Sequence, residues 1–123
     1  MYIPTNPNPD GIHVGDCVVR AIAIALDKSW VWTYIWLCIQ GLIMFDMPSS
    51  NAVWGEYLRS KGFANYQLPT TYATVQDFCR ENQNGIFILA TGSHVVTVID
   101  GDYYDAWDSG REVPTSVWRR SNA

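Results

Sequence analysis

The sequence predicts one α+β domain, in which helices come first and a small antiparallel sheet follows. Three observations favour this class. The chain has 123 residues, which is enough for one compact domain and too few for two. Apolar residues make up 48% of the chain and charged residues only 16%, a composition that supports a packed core. Helical patterns fill 16–82 and β-branched runs fill 85–119, an order typical of α+β proteins.

The single domain, 1–123, is predicted to begin with an extended arm and a short helix. Pro, Asn and Gly are frequent in 1–15, and these residues favour turns and extended backbone. Asp16 is a typical N-cap residue, and the apolar segment from Cys17 to Leu26 is predicted to be the first helix.

The second predicted helix is rich in tryptophan. Ser29 caps it, and it is apolar from Trp30 to Phe45 except at three positions. This stretch is shorter than the roughly 20 residues needed to cross a bilayer, so a buried helix is predicted and not a membrane span. Because a small protein cannot cover every side of such a helix, we expect a second copy or a protein partner at Trp30, Trp32 and Trp36.

Two shorter helices precede the predicted sheet. Ser49 or Ser50 caps a third helix that ends near Lys61, and a loop is predicted over 63–73. A fourth helix is predicted from 75 to about 82, with apolar residues on one face.

The C-terminal part is predicted to form short strands over 85–90, 94–99, 103–108 and 113–119. The dipeptide Asp100-Gly101 is among the strongest hairpin signals, so it is predicted to join the second and third of these strands. The last segment is predicted to be an edge strand, because it contains Pro114.

The charge pattern excludes two classes of partner. The chain has 8 Lys and Arg against 12 Asp and Glu, a formal net charge of −4, and its one basic pair is Arg119-Arg120. Nucleic-acid binders normally carry a basic stripe, so no nucleic-acid partner is predicted. A polybasic patch for a membrane surface is equally absent from the sequence.

The three cysteines, Cys17, Cys38 and Cys79, form no close pair. Neither a disulfide framework nor a structural zinc site is therefore predicted. A zinc site built from His13, Cys17 and a distant ligand is disfavoured, and no metal or other cofactor is expected. The first residues lack the charged start and the long apolar run of a signal peptide, which predicts a cytoplasmic protein with reduced thiols.

Cys17 lies where a protein activates sulfur. At the first turn of a helix, unpaired amides and the helix dipole favour a thiolate, whereas Cys38 and Cys79 lie among apolar neighbours that favour the neutral thiol. His94 begins a predicted strand just after a turn, and a neutral imidazole there can take the proton of a thiol. Cys17 and His94 therefore predict an ion pair, with purely structural roles as the alternative. Arg20, one helical turn further along, is expected to pair with an acid.

An acid on the strand paired with that of His94 would orient the imidazole. If the hairpin turn has two residues, Asp105 shares a face with His94. If it has three residues, His94 faces Asp108 directly. Both registers remain open. Asp108 is preferred because it lies level with His94 at the open end of the hairpin, and Asp105 is kept as the alternative or supporting acid.

Taken together, these motifs resemble a minimal papain-like cysteine peptidase. Gly15-Asp16-Cys17 opens an apolar helix, Gly92-Ser93-His94-Val95-Val96 begins a distant strand, and Asp105-Ala106-Trp107-Asp108 ends another. The order Cys, His, Asp is that of the papain-like group. The layout is similar to that of bacteriocin-processing peptidase domains and of small proteins from bacteria and their phages. The resemblance spans 6–110 in outline.

The resemblance implies a papain-like fold, with N-terminal helices packed on the sheet, and a thiol hydrolase. Cys17, His94 and Asp108 would form a triad that cleaves a peptide or isopeptide bond in a peptide or protein substrate. Two other functions remain open for this fold. One is a catalytically silent binding or accessory protein of phage or prophage origin, and the other is a cysteine amidase or acyltransferase.

The resemblance also implies an oxyanion site, made by the backbone amide of Cys17 and one side-chain donor. The family usually places a Gln upstream of the nucleophile, and that position is Gly11 in this chain. Asn6 or Asn8 in the arm is therefore the expected donor.

Overall fold

The computed structural model describes residues 1–68 and 73–121. Within these ranges the chain forms four helices and one six-stranded sheet, which confirms the predicted α+β class. The helices are α1 (Cys17–Leu26), α2 (Trp30–Met44), α3 (Asn51–Ser60) and α4 (Val75–Glu81). The strands are β1 (Tyr2–Pro4), β2 (Phe63–Gln67), β3 (Ile86–Ala90), β4 (Val95–Ile99), β5 (Asp102–Asp105) and β6 (Ser116–Arg120).

The sheet is mixed, with the strand order β1-β5-β4-β3-β6-β2. All neighbours are antiparallel except β1, which runs parallel to β5. The predicted arm thus contributes one edge strand. The other edge strand, β2, lies where a loop was predicted over 63–73, and residues 69–72 of that loop lie outside the described ranges. Both edges were missed because each pairs with a strand distant in sequence.

The predicted edge strand over 113–119 is instead an interior strand. It begins at Ser116 and pairs with β3 on one side and β2 on the other. Pro114 precedes its first residue, so the missing N–H of the proline interrupts no ladder. The strand predicted over 103–108 likewise ends early, at Asp105, where the chain leaves the sheet.

The helices cover both faces of the sheet. One core cluster joins α1, α2 and α3 to Ile88 and Trp118, and a second joins α4 to Phe87 and Leu89. Neighbouring residues of β3 therefore point to opposite faces, as a strand requires. α1 packs directly on β4, where the hydroxyl of Thr97 donates to the carbonyl of Ala21 at 2.6 Å. α2 packs on α1 and α3, one layer away from the sheet.

Helix boundaries follow local side-chain signals. Ser29 accepts a hydrogen bond from the backbone N–H of Trp32 at 3.0 Å, which confirms its predicted capping role. Of the two candidate caps for α3, Ser50 directly precedes the helix, although its side chain makes no capping bond. Thr74 caps α4 by accepting from the N–H of Asp77 at 3.2 Å.

α2 is covered less than its composition requires. Its buried residues are Thr33, Leu37 and Gly41. The exposed apolar residues on this helix and just after it, named here the α2 face, are Val31, Tyr34, Ile35, Trp36, Ile39, Leu42, Ile43, Phe45 and Met47. Over the described ranges no helix by itself meets the length and hydropathy limits for crossing a membrane; α1 and α2 meet them only jointly, with a 111° bend between them.

Candidate active site

Cys17 is the first residue of α1, and its thiol is partly exposed. The sulfur lies beside the imidazole of His94 and the backbone N–H of Val95, close enough for both groups to lower the pKa of the thiol. The fold brings these distant residues together because the bond from Thr97 to Ala21 anchors α1 on β4. The helix that begins at Cys17 thus lies against the strand that follows His94.

His94 is buried, and both sides of its ring have partners. Its Nε2 atom lies 2.5 Å from Oδ2 of Asp105, which leaves Nδ1 for the sulfur of Cys17. The Asp105 carboxylate is itself held in place: Oδ1 accepts from the backbone N–H of Ala106 at 2.8 Å, and Oδ2 accepts from the hydroxyl of Ser109 at 2.6 Å. The three side chains therefore lie in a row, with the imidazole bonded to the carboxylate on one side and beside the thiol on the other.

The register of the hairpin decides which aspartate reaches the imidazole. Asp100 and Gly101 form a two-residue turn, with φ angles of 49° and 85°, and the last residue of β4 pairs with the first residue of β5. Of the two registers left open by the sequence, this is the one that places Asp105 on the face of His94. The dipeptide adopts it because Asp and Gly tolerate the positive φ angles that a tight hairpin needs.

The carboxylate that contacts the imidazole of His94 is that of Asp105, the alternative acid, and not that of the preferred Asp108. The carboxylate of Asp108 is exposed, and Oδ1 accepts from the hydroxyl of Tyr103 at 2.6 Å and from the N–H of Gly110 at 3.0 Å. These bonds lower the pKa of Asp108. Asp108 thus closes the turn after β5, while Asp105 contacts His94.

The pKa values of the pair move in the directions that favour an ion pair. Burial raises the pKa of the Cys17 thiol, but its hydrogen bond to His94 and the nearby charges of His94 and Arg20 outweigh burial and lower it overall. Burial lowers the pKa of His94, but its bonds to Asp105 and Cys17 raise it to about 9. Cys79, which is buried in the core, shows the opposite behaviour, since burial raises its pKa to about 11.

The side chain of Asp16 does not cap α1 as predicted and makes other contacts. Asp16 occupies the N-cap position of α1, yet its side chain makes no capping bond. Its carboxylate instead contacts the guanidinium of Arg20 and accepts from Nε1 of Trp30 at 2.9 Å and from Nδ2 of Asn8 at 3.3 Å. A buried carboxylate gains more from a cation and two donors than from one helix amide.

Arg20 pairs with an acid, as expected, and also reaches the acid of the candidate triad. It is 3% exposed, and while one nitrogen contacts Asp16, Nη2 lies 3.9 Å from Oδ1 of Asp105. Its guanidinium lies 5.2 Å from the ring centroid of Trp107, and that ring lies 4.4 Å from the ring of His94. The buried guanidinium of Arg20 therefore lies beside Asp105 and Trp107, the two residues whose side chains contact His94.

Sequence reasoning gave no supporting role at the site to Trp107 or Ser109. The only available signal was their position in the segment that follows Asp105, since Ser109 lies four residues further on and can turn back to the same carboxylate. Trp107 lies beyond the end of β5, and its ring packs against that of His94.

The candidate site opens into a cleft of about 550 Å³. Cys17 and His94 lie among its lining residues, together with the turn between β3 and β4 and the side chains of Trp54 and Trp118. Trp54 and Trp118 are both almost fully buried, so the cleft has a rigid aromatic wall beside the sulfur.

The structure does not bring the expected oxyanion donors to Cys17. The side-chain amide of Asn6 donates to the carbonyl of Ile12 at 3.5 Å, and that of Asn8 donates to the carboxylate of Asp16 at 3.3 Å. The first residues of α1, Cys17 and Val18, line the cleft, and the amides of a first helical turn have no partner within the helix.

In the described ranges, no group of three or more His, Cys, Asp or Glu side chains is arranged to hold a metal ion. A comparison of the chain with protein-family models, curated proteins and solved structures found no match. The case for a function therefore rests on the geometry around Cys17.

Proposed function

We propose that this protein is a papain-like thiol hydrolase that cleaves a peptide or isopeptide bond with Cys17, His94 and Asp105. The observation that carries the proposal is the row of three side chains in which His94 bonds to Asp105 and lies beside the sulfur of Cys17 at the start of α1. A thiol, an imidazole and a carboxylate in this order support the roles of nucleophile, base and orienting acid. The cleft beside the sulfur supplies room for a substrate chain.

The chemistry follows from the ion pair. The Cys17 thiolate attacks the carbonyl carbon of the substrate, and the imidazolium of His94 donates its proton to the leaving amine as the C–N bond breaks. A thioester remains on the sulfur. His94 then takes a proton from water, the resulting hydroxide attacks the thioester carbon, and the carboxylic acid leaves as the thiolate returns. Asp105 keeps the ring oriented through both steps.

In this proposal, backbone amides stabilise the oxyanion. The amides of Cys17 and Val18 are at the open first turn of α1, where the helix dipole also favours negative charge. An upstream glutamine is missing from this chain, and Asn8 is engaged elsewhere. We therefore expect slower acyl transfer than in an enzyme with a dedicated side-chain donor, by roughly 10²–10³-fold.

The test is the pH dependence with which iodoacetamide alkylates each cysteine of the folded wild-type chain. Mass spectrometry of the peptides measures the alkylation of each cysteine separately. Cys17 is expected to react at pH values well below its ordinary pKa, while Cys38 and Cys79 serve as internal controls that react slowly there. The variant His94→Ala is expected to remove the low-pH reactivity of Cys17. Reaction of Cys17 no faster than a free model thiol contradicts the ion pair and favours the silent binding protein.

Substrate class is tested separately, by incubating the protein with a peptide library and with Cys17→Ala as the matched inactive control. New peptide termini that appear only with the wild type support a peptidase. An activated Cys17 that releases ammonia or transfers an acyl group, without new termini, favours the amidase or acyltransferase instead. A cytoplasmic setting and a peptide or protein partner belong to the same proposal.

A further inference from the structure

The α2 face is the largest feature that the proposed function does not use. The helix carries no charged side chain over its fifteen residues, and none of its residues lines the cleft. Leu42 is 73% exposed and Phe45 is 96% exposed. Monomeric proteins rarely leave an apolar surface of this extent in water, so an occupant is required.

The size of the face matches a stable protein interface. A fully exposed aromatic side chain presents about 150–250 Å² and an aliphatic one somewhat less, so the nine residues of the α2 face present on the order of 900 Å². A standard interface needs about 800 Å² from each partner. Val31, Ile35, Ile39 and Ile43 follow one another at intervals of four, which forms a single ridge along the helix.

The two ends of α2 carry opposite charge. At its N-terminal end, the ammonium groups of Lys28 and Lys61 lie 5.1 Å and 5.8 Å from the ring of Trp32, with Asp27 as the one acid in the adjoining turn. At the C-terminal end stands Asp46, which is exposed and whose carboxylate accepts from the N–H of Met47 at 2.7 Å. Each end is thus complementary to the opposite end of a second α2.

We propose that α2 packs antiparallel against α2 of a second copy of this chain, about a two-fold axis. This arrangement brings Lys28 of each copy beside Asp46 of the other, and it sets the two helix dipoles antiparallel. The apolar ridges pack together between these ends. A parallel pair would bring like charges together at both ends, which costs free energy and leaves the lysines without acids.

A membrane surface fits this face less well. Helices that lie on bilayers carry Lys and Arg along their polar side, and α2 has neither within its length. The net charge of −4 also repels anionic lipid.

The first experiment measures the mass of the full chain by sedimentation equilibrium at concentrations up to about 100 µM, because dimer formation depends on protein concentration. The wild type is expected to be a dimer, and Ile35→Glu is expected to be a monomer with an unchanged circular dichroism spectrum. Val113→Glu is the matched control, because Val113 is 58% exposed and Ile35 is 51% exposed, and it is expected to remain dimeric. If Ile35→Glu fails to fold, Ile35→Ala takes its place, with a raised dissociation constant as the expected result.

The second experiment tests the orientation. Lys28→Glu and Asp46→Lys are each expected to weaken the dimer roughly tenfold at low salt, because each interface contains two such pairs. The double variant is expected to restore wild-type affinity. A double variant that stays weak overturns the antiparallel arrangement.

A monomeric wild type overturns the dimer altogether. A monomer that floats with phosphatidylcholine vesicles assigns the α2 face to lipid, and one that remains free of vesicles leaves it to a different protein. Alkylation of Cys17 is unaffected by these changes, so a failed dimer and a failed thiol hydrolase are distinguishable results.

Discussion

At the scale of single residues, one carboxylate organises the candidate site. Asp105 lies 2.5 Å from the imidazole of His94 and 3.9 Å from the guanidinium of Arg20. From this position Asp105 can hold the imidazole in one orientation. In the proposed ion pair the sulfur of Cys17 depends on that imidazole, so Asp105 would act on the sulfur through His94.

Replacement of this acid by its amide tests the assignment. Asp105→Asn is expected to raise the pH needed for alkylation of Cys17 and to lower any hydrolytic rate by roughly 10²–10⁴-fold, because the ring loses its anionic partner. Asp108→Asn is the matched control, since that carboxylate bonds to Tyr103 and Gly110 instead. Alkylation profiles of the two variants check the prediction. A larger effect from Asp108→Asn returns the role to that residue.

The buried cation is expected to matter for stability. Arg20→Met leaves the Asp16 carboxylate buried without its cation, which costs about 3–5 kcal/mol in the free energy of unfolding. Arg80→Met is the control, because Arg80 pairs with Asp77 at 3.2 Å on the surface, where an ion pair contributes about 0–1 kcal/mol. Urea denaturation measures both values. Equal losses in the two variants would show that the Arg20 pair is no stronger than a surface pair.

At the scale of elements, the successful predictions rest on local signals. Ser29 and the Asp100-Gly101 turn act within a few residues of their own position, so a short window of sequence contains the information. β1 and β2 depend on partners far along the chain. Only the first residue of β2 is buried, so it shows no apolar alternation, and its strand character comes from the ladder it forms with β6.

The hairpin turn can be tested through its glycine. Gly101 has a φ of 85°, and a Cβ added there would meet the side chain of Gln83 at 2.6 Å. Gly101→Ala is expected to lower the free energy of unfolding by about 1–2 kcal/mol. Gly92→Ala is the control, because a Cβ there meets nothing within 4 Å and its φ is ordinary. Thermal unfolding compares the two, and a harmless Gly101→Ala would contradict the strained turn.

At the scale of the whole molecule, the sequence was sufficient to identify the groups of the site but not to choose between them. Cys17 and His94 were predicted as candidate site residues because one begins a helix and the other begins a strand, and local sequence signals mark both positions. The choice between Asp105 and Asp108 depends on a one-residue difference in the turn, which exchanges the two acids. The support from Arg20 requires knowing that α1 and β5 meet, and that is a property of the tertiary structure.

The ion pair also makes a prediction for the stability of the whole chain against pH. The pKa of His94 is about 9 when folded and 6.5 when unfolded, so its contribution is complete below pH 6.5 and is lost as the pH rises through about 9. Cys17 has the opposite sign. Its folded pKa is lowered from 9.0, so its contribution is present above pH 9 and is lost as the pH falls through the folded value.

In the wild type, these two slopes oppose each other, because folding raises the pKa of His94 and lowers the pKa of Cys17. The free energy of unfolding is therefore expected to change less between pH 6.5 and 9 than the contribution of His94 alone would change it. In Cys17→Ser the contribution of Cys17 is lost, while Asp105 still raises the pKa of His94, so the stability of this variant is expected to fall as the pH rises above 6.5. Urea denaturation at several pH values, with Cys38→Ser as the control, measures the difference. Identical pH dependence in wild type and Cys17→Ser would mean that folding does not lower the pKa of Cys17, which contradicts the ion pair.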